Sequence, residues 1–240
     1  MTDSGSVLRV LSYNVRSMRD DVQALGQVIR ACRPDVLCVQ EAPRFFRWRA
    51  KLARLARESG LVYACGGRTT HGPALLVALG VDVLAVQESR FPKTPGLHAR
   101  GLAVADCTSA GSPFRVASMH LGLREDERER NVAAALAAVA DVRPLVMAGD
   151  VNEPPGGPAW RLLHDAGLRD AYAAAPWGGE LTFSSASPRR RIDGVFVSAG
   201  LAVTRCGVPL SLPGVDEGRL VAATDHRPLL AELALDPPAA

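Results

Sequence analysis

The sequence predicts an α/β protein whose sheets mix parallel and antiparallel strands. Near both ends of the chain, short apolar runs alternate with amphipathic stretches, the pattern of strand–helix–strand units. In the middle, several strand-like runs follow one another with only Gly/Pro turns between them, the pattern of antiparallel neighbours. No low-complexity linker interrupts this order and no internal repeat is visible, so the expectation is one domain over residues 7–236, with short tails at 1–6 and 237–240.

Val7–Val15 reads as the first strand, and Val22, Leu25, Val28, Ile29 and Cys32 mark one face of a helix. Asp35–Gln40 is a second strand, entered through Pro34. Leu52, Leu55 and Ala56 suggest a helix ending at Gly60. Strands are then expected at Ala74–Leu79, Val83–Glu88, Gly101–Asp106 and Phe114–His120, followed by a helix over Glu125–Val139 and a strand at Leu145–Ala148. The final third supplies strands near Ile192–Val197, Leu201–Cys206 and Pro228–Leu235. Pro154–Pro158 and Pro209–Gly218 read as loops.

Of 240 residues, 48% are hydrophobic and 22% charged, enough apolar material for a sizeable core. A net charge of +3 names no polyanionic partner. Five scattered cysteines without a CxxC pair suggest buried thiols in a reducing compartment rather than a zinc site or disulfide framework. Met1–Ser6 is polar, and the first apolar run is broken by Arg9, Ser12 and Asn14. That reads as neither signal peptide nor membrane span, so a cytoplasmic protein that does not enter a membrane is expected, working as a monomer.

Polar residues collect at the strand ends. Asn14 closes the first strand, Gln40-Glu41 the second, His120 a third, and Gly149-Asp150-Val151-Asn152 a fourth; Asp193 opens one strand, and Asp225-His226 precedes the last. Singly, each is an ordinary strand terminus meeting solvent. Together they offer hard oxygen ligands suited to Mg²⁺ and groups able to orient water or donate to a phosphate. No G-x-S-x-G elbow and no G-x-x-x-x-G-K-[ST] loop is present, which argues against acyl transfer and triphosphate chemistry.

Six segments carry a resemblance: LSYNV (Leu11–Val15), CVQEA (Cys38–Ala42), SMHLGL (Ser118–Leu123), MAGDVNEPP (Met147–Pro155), RIDGVFVS (Arg191–Ser198) and TDHRPL (Thr224–Leu229). In this order they resemble the endonuclease/exonuclease/phosphatase superfamily of DNase I-like, metal-dependent phosphoesterases. The form around His120 is most similar to its small bacterial metal-dependent hydrolases. The resemblance implies a four-layered α/β sandwich, with two mixed sheets face to face, helices outside, and the site at one edge of the sheets.

It also implies roles. Glu41 resembles the principal ligand for Mg²⁺ or Mn²⁺, Asn14 a second ligand or an orienter of metal-bound water, and Asp225 a supplementary ligand. Asp150 resembles the group that aligns or deprotonates the attacking water. Asn152, on an extended segment and facing the same way, would hydrogen-bond a phosphate oxygen or the nucleophile. His226, oriented by Asp193, would donate to a nonbridging phosphate oxygen, and His120 resembles the second imidazole of nuclease and sphingomyelinase members, contacting the phosphate or assisting the leaving group. Arg16 stands where abasic-site endonucleases carry an acid, which weakens a second metal site and offers a contact to substrate phosphate. Arg191 is a further candidate for that contact. Gly194 replaces an aromatic found in many members, which would open one wall of the pocket. His71, His98 and His164 read as surface or structural residues, and Trp48, Trp160 and Trp177 as packing residues.

The expected function is hydrolysis of a small phosphoester. The alternatives are an endo- or exonuclease acting on nucleic acid and a binding module that has lost catalysis. Modest charge and the absence of a basic stretch interleaved with aromatics weigh against a dedicated DNA enzyme. Competent side chains at every expected position weigh against lost catalysis.

Overall fold

A computed structural model describes residues 7–140 and 144–235; the tails expected at 1–6 and 237–240, with residue 236, lie outside the described residues. The strands are β1 (Val7–Asn14), β2 (Val36–Gln40), β3 (Val62–Gly66), β4 (Ala74–Val77), β5 (Val81–Arg90), β6 (Gly101–Ser109), β7 (Ser112–His120), β8 (Leu145–Asp150), β9 (Arg169–Asp170), β10 (Asp193–Val197), β11 (Leu201–Gly207) and β12 (Leu229–Leu235). The helices are α1 (Val22–Cys32), α2 (Trp48–Ser59), α3 (Glu125–Ala138), α4 (Pro158–Asp165), α5 (Ala171–Ala174) and α6 (Glu217–Ala223).

Local chemistry sets the helix ends. The Asp21 side chain accepts from the amides of Gln23 and Ala24 to start α1, and Asp216 accepts from Arg219 to start α6. Pro158 occupies the first turn of α4, where its missing N–H costs nothing. α2 stops at Gly60, whose φ of 75° favours a residue without Cβ.

The strands form two six-stranded sheets, in the orders β11-β12-β1-β2-β4-β3 and β5-β6-β7-β8-β10-β9. Each has a single parallel pair at its centre, β1 with β2 and β7 with β8, flanked by antiparallel neighbours. The two sheets therefore repeat one topology that no sequence similarity announces. β1 and β2 lie against β7 and β8 across the interior.

Side-chain alternation explains the layering. Val10, Val36 and Cys38 of the first sheet meet Val116, Val146, Ala148 and Val195 of the second in an apolar layer between them. The intervening residues point outward. Leu11, Tyr13, Leu37 and Val39 pack under α1, α2 and α6, while Met119, Met147 and Phe196 pack under α3 and α4. This is the four-layered sandwich expected. Each large aliphatic so buried contributes about 1.5–3 kcal/mol, and Leu25, Ile29 and Leu55 are wholly buried. All five cysteines are buried free thiols. Trp48 and Trp160 sit in the outer layers, with Trp177 packed against one of them. Among the described residues, no helix is long and apolar enough to cross a membrane.

Candidate active site

The site continues the inward-facing rows. Along β1 the row runs Val10, Ser12, Asn14; along β2, Val36, Cys38, Gln40; along β7, Val116, Ser118, His120; along β8, Val146, Ala148, Asp150. Each passes from apolar to small or amide to functional group as it nears the rim. Asn14 pairs in register with Gln40, and His120 with Asp150, so both parallel pairs end at the same edge. The antiparallel partners deliver the rest. Asp193 opens β10 opposite Asp150, and His226 lies just before β12, which runs against β1. A cleft of about 600 Å³ holds Glu41, His120, Asp150, Asn152, Asp225 and His226.

Asn14 joins the two sheets. Its Nδ2 donates to Glu41 Oε1 at 3.2 Å and to Asp150 Oδ2 at 3.0 Å, while its Oδ1 accepts from the Arg16 amide at 3.0 Å. A flipped amide would aim its carbonyl at two carboxylates and its NH₂ at an N–H, so this orientation is the one that satisfies all three partners. The ligating atom of Asn14 is thus turned away from the carboxylates. Of the two roles expected for Asn14, ligand or orienter, this arrangement is that of an orienter.

Asp150 is buried. Its Oδ1 accepts from the Asn152 amide at 2.9 Å; its Oδ2 lies 3.5 Å from His120 Nε2 and 3.7 Å from His226 Nε2. Burial, then the charge of Asp193, push its pKa up to about 7 against the opposing effect of His226, Asn14 and the Asn152 amide. His226 Nδ1 lies 2.9 Å from Asp193 Oδ2. Burial disfavours the imidazolium, but the charge and hydrogen bond of Asp193, helped by Asp150 and Asp225, outweigh it and raise the pKa to about 10. The ring leans on Phe183, centroids 4.9 Å apart.

His120 has the opposite environment. Arg100 NH1 lies 3.1 Å from its Nδ1. A guanidinium can only donate, so Nδ1 accepts and the proton sits on Nε2. Burial, then Arg100 and His226, hold its pKa well below the ordinary value. The two rings therefore differ: Asp193 favours the cationic form of His226, whereas burial and Arg100 favour the neutral form of His120.

Some expectations are corrected. Asn152 does not extend the strand; it takes a left-handed conformation, φ 59°, and its Nδ2 donates to the Leu121 carbonyl at 2.8 Å. Arg16 and Asp225 engage each other, Nε to Oδ2 at 3.3 Å, and Arg16 also reaches Asp20, so neither role assigned to them separately stands free of that pairing. Arg191 is buried in a bidentate pair with Asp170 (3.0 and 2.8 Å), stacked between Trp160 and Tyr172, and faces no cleft. Gly194 lies on the outward row, where a Cβ would come within 2.5 Å of Phe196 and 3.0 Å of Trp160. Those rings fill the space, and no wall is opened.

The cleft also collects Arg19, Arg44, Arg100 and Arg190, and it corrects the reading of His71 and His98 as surface or structural residues, since both line it. Arg190 was signalled by its place in the basic run Arg189–Arg191 before Asp193, and a signal existed for Arg100 too. Arg100 precedes β6, and the start of an antiparallel neighbour lies beside the end of β7, where His120 stands. The others arrive on loops whose paths no periodicity encodes. His164 is exposed on α4, as expected.

The donor set fits a hard divalent cation. The Glu41 and Asp150 carboxylates share one amide, Asp193 and Asp225 lie near them, and Asp193 Oδ1 is buried without a hydrogen-bond partner. Ligand atoms of Asp150, Asp193 and His226 lie within 4.8 Å of one another. Of these, His226 is the poor candidate, because Asp193 keeps its imidazole charged and a cationic ring has no lone pair to share.

Comparison with known proteins agrees with this fold. The protein YbhP of Escherichia coli K12, itself described as uncharacterized, is 27% identical over 244 residues, covering 95% of this chain and 89% of its own. An endonuclease/exonuclease/phosphatase from Bacteroides vulgatus superposes with a TM-score of 0.80 at 20% identity, covering 96% of this chain and all of that one. A mannosyl-6-phosphatase from Bacteroides thetaiotaomicron gives 0.75 at 18%, covering 94% and 99%. D. rerio TDP2 complexed with a single-strand DNA product gives 0.71 at 16%, covering 95% and 99%. The model of the Endonuclease/Exonuclease/phosphatase family matches residues 11–226, from the strand bearing Asn14 to the histidine that faces Asp150, and the chain belongs to that family.

Proposed function

We propose that the chain is a divalent-metal-dependent phosphoester hydrolase acting on a small phosphoester. One observation carries the reading: Glu41, His120, Asp150 and His226, drawn from the rims of two sheets, line one cleft, with Asn14 and Asp193 hydrogen-bonded behind them. The family is one of phosphoester hydrolases and is generally metal-dependent, which supports the same chemistry. Glu41 would hold Mg²⁺ or Mn²⁺ with Asp150 beside it, and Asn14 would fix both carboxylates. The ion supplies Lewis-acid polarisation of the phosphoryl group.

The protein's own groups have distinct tasks. Asp150, its carboxylate aligned by Asn14 and the Asn152 amide, is placed to accept a proton from water. His226 presents a cationic Nε2–H to a nonbridging phosphate oxygen, held in orientation by Asp193. His120 presents a neutral Nε2–H from the opposite sheet. Donors fixed in position before reaction, inside a mostly buried site, stabilise added negative charge without reorganising.

Hydrolysis of bis-(p-nitrophenyl) phosphate tests the reading. Activity should require Mg²⁺ or Mn²⁺ and disappear after exhaustive chelation; turnover that persists in EDTA would overturn it.

A further inference from the structure

Beside the active cleft lies a second cavity of about 750 Å³ that the reaction does not use. The two share Arg44, Phe45, His71 and His98, so one ligand can span both. The second adds Arg47, Arg68 and Arg90 and has no carboxylate in its lining. Elsewhere this protein tends to pair its arginines: Arg115 with Asp106, Arg128 with Glu153, Arg205 with Glu232 and Arg227 with Glu217. Arg44, Arg47, Arg68 and Arg90 form no ion pair among the described residues. Arg44 and Arg90 instead bond carbonyl oxygens, of His71 at 3.0 Å and Thr69 at 2.8 Å, which fixes them in place and leaves their charge unneutralised. His71 registers the resulting field: burial, then Arg90, Arg44 and Lys93, lower its pKa. Phe45 is 79% exposed at the mouth that joins the cavities, and Arg44 lies 5.8 Å over its ring. An uncovered aromatic beside uncompensated guanidinium groups is suited to a planar ring and an anion carried by the same ligand.

From this juxtaposition, and resting on the phosphoesterase reading, we infer that the second cavity is a substrate subsite for a second phosphate. The preferred substrate is then a small, doubly phosphorylated molecule with a planar ring, of the nucleoside bisphosphate kind. Its scissile phosphate lies at Asp150 and His226, and its other phosphate at Arg68 and Arg90. A cavity of about 750 Å³ matches such a molecule better than a lipid surface or a long strand.

Calorimetric titration of the intact protein with adenosine 3′,5′-bisphosphate and with adenosine 5′-monophosphate tests this without relying on turnover. A charge-assisted hydrogen bond contributes about 1.5–3 kcal/mol, so the bisphosphate should bind at least ~10-fold more tightly. In Arg68→Ala/Arg90→Ala, with folding checked by circular dichroism, that preference should fall to about onefold. Equal affinity for the two nucleotides in the parent protein, or a preference untouched by the double substitution, would overturn the subsite. So would a ten-residue oligo(dT) binding more than tenfold more tightly than the bisphosphate, which would assign the cavity to a strand. If the preference and its loss are seen while bis-(p-nitrophenyl) phosphate is not hydrolysed, the subsite stands and the hydrolase reading falls. Hydrolysis without the preference gives the reverse.

Discussion

His120 and His226 face the same carboxylate, Asp150, from opposite sheets, and they stand in opposite charge states. His226 backs onto Asp193 and stays cationic to a pKa of about 10; His120 backs onto Arg100 and is held neutral. Burial pushes both rings towards neutrality, so burial does not distinguish them. The charge behind each ring does. A sequence names a histidine, but the residue behind it decides whether that histidine brings a charge or only a proton to share.

The harshest test of this division removes its centre. Asp150→Asn and His226→Ala should each lower kcat by at least ~10²-fold, the scale for a positioned acid–base or electrostatic group. Unchanged melting curves would show that the loss is chemical. Near-normal turnover in either variant would remove that residue from the mechanism.

Exchanging what lies behind His226 should come next in size. In Asp193→Asn the imidazole loses its main cationic support, and burial then pulls its pKa below the parent value of about 10. Activity at pH 8 should drop by roughly tenfold, in keeping with a lost charge-assisted contact, and recover in part towards pH 6. An imidazole titration by NMR that is unmoved in the variant would contradict the account.

Stability carries the same signature. His226 has a folded pKa above its ordinary value of 6.5, so the stability it contributes is complete below 6.5 and is lost as pH rises through about 10. In metal-free protein, the stability gap between parent and His226→Gln should therefore narrow between pH 6.5 and 10.5 in urea titrations. A gap that widens would reverse the sign and reject the assignment.

On the opposite side, Arg100→Met should raise the His120 pKa, with only a few-fold change in turnover, because a neutral donor gives way to a charged one at the same place. An unmoved His120 resonance in an NMR titration would show that Arg100 is not what keeps it neutral. The smallest effect expected concerns a second cation. Asp225 is already engaged by Arg16, so titration should show one tight Mg²⁺ or Mn²⁺ per chain, with Glu41 indispensable. Two sites of similar high affinity would contradict this.

Much of the fold was legible because period-2 and period-3.6 patterns survive in single sequences. The expected strands at Val7–Val15 and Phe114–His120 and the helix at Val22–Cys32 lie within a residue or two of the observed β1, β7 and α1. The elements not foreseen are short or weakly patterned: β3, most of whose side chains are not buried, two-residue β9, four-residue α5, and α4 and α6 of eight and seven residues. The residues that converge at the rim were legible because strand ends carry the chemistry. The orientations were not. Nothing local told Asn14 which way to turn its amide, or told Arg191 that Asp170, Trp160 and Tyr172 would enclose it. Those facts depend on residues distant in the chain.

Directly beneath the site, the apolar contact between the sheets gives way to a few polar groups. Ser118 Oγ of the second sheet donates to the Val39 carbonyl of the first at 2.8 Å, and Gln40 Nε2 reaches back to Ser118 at 3.4 Å while its carbonyl meets Ser12. Apolar faces adhere without regard to direction and tolerate small slippage, whereas a hydrogen bond weakens steeply when its angle changes. These rungs therefore act as a pin against shear between the two halves of the sandwich. Half of the catalytic groups ride on each sheet, so a slip of an ångström between the sheets would separate Glu41 from Asp150. The alignment of the active site is thus set one layer below it, by side chains that never meet the substrate.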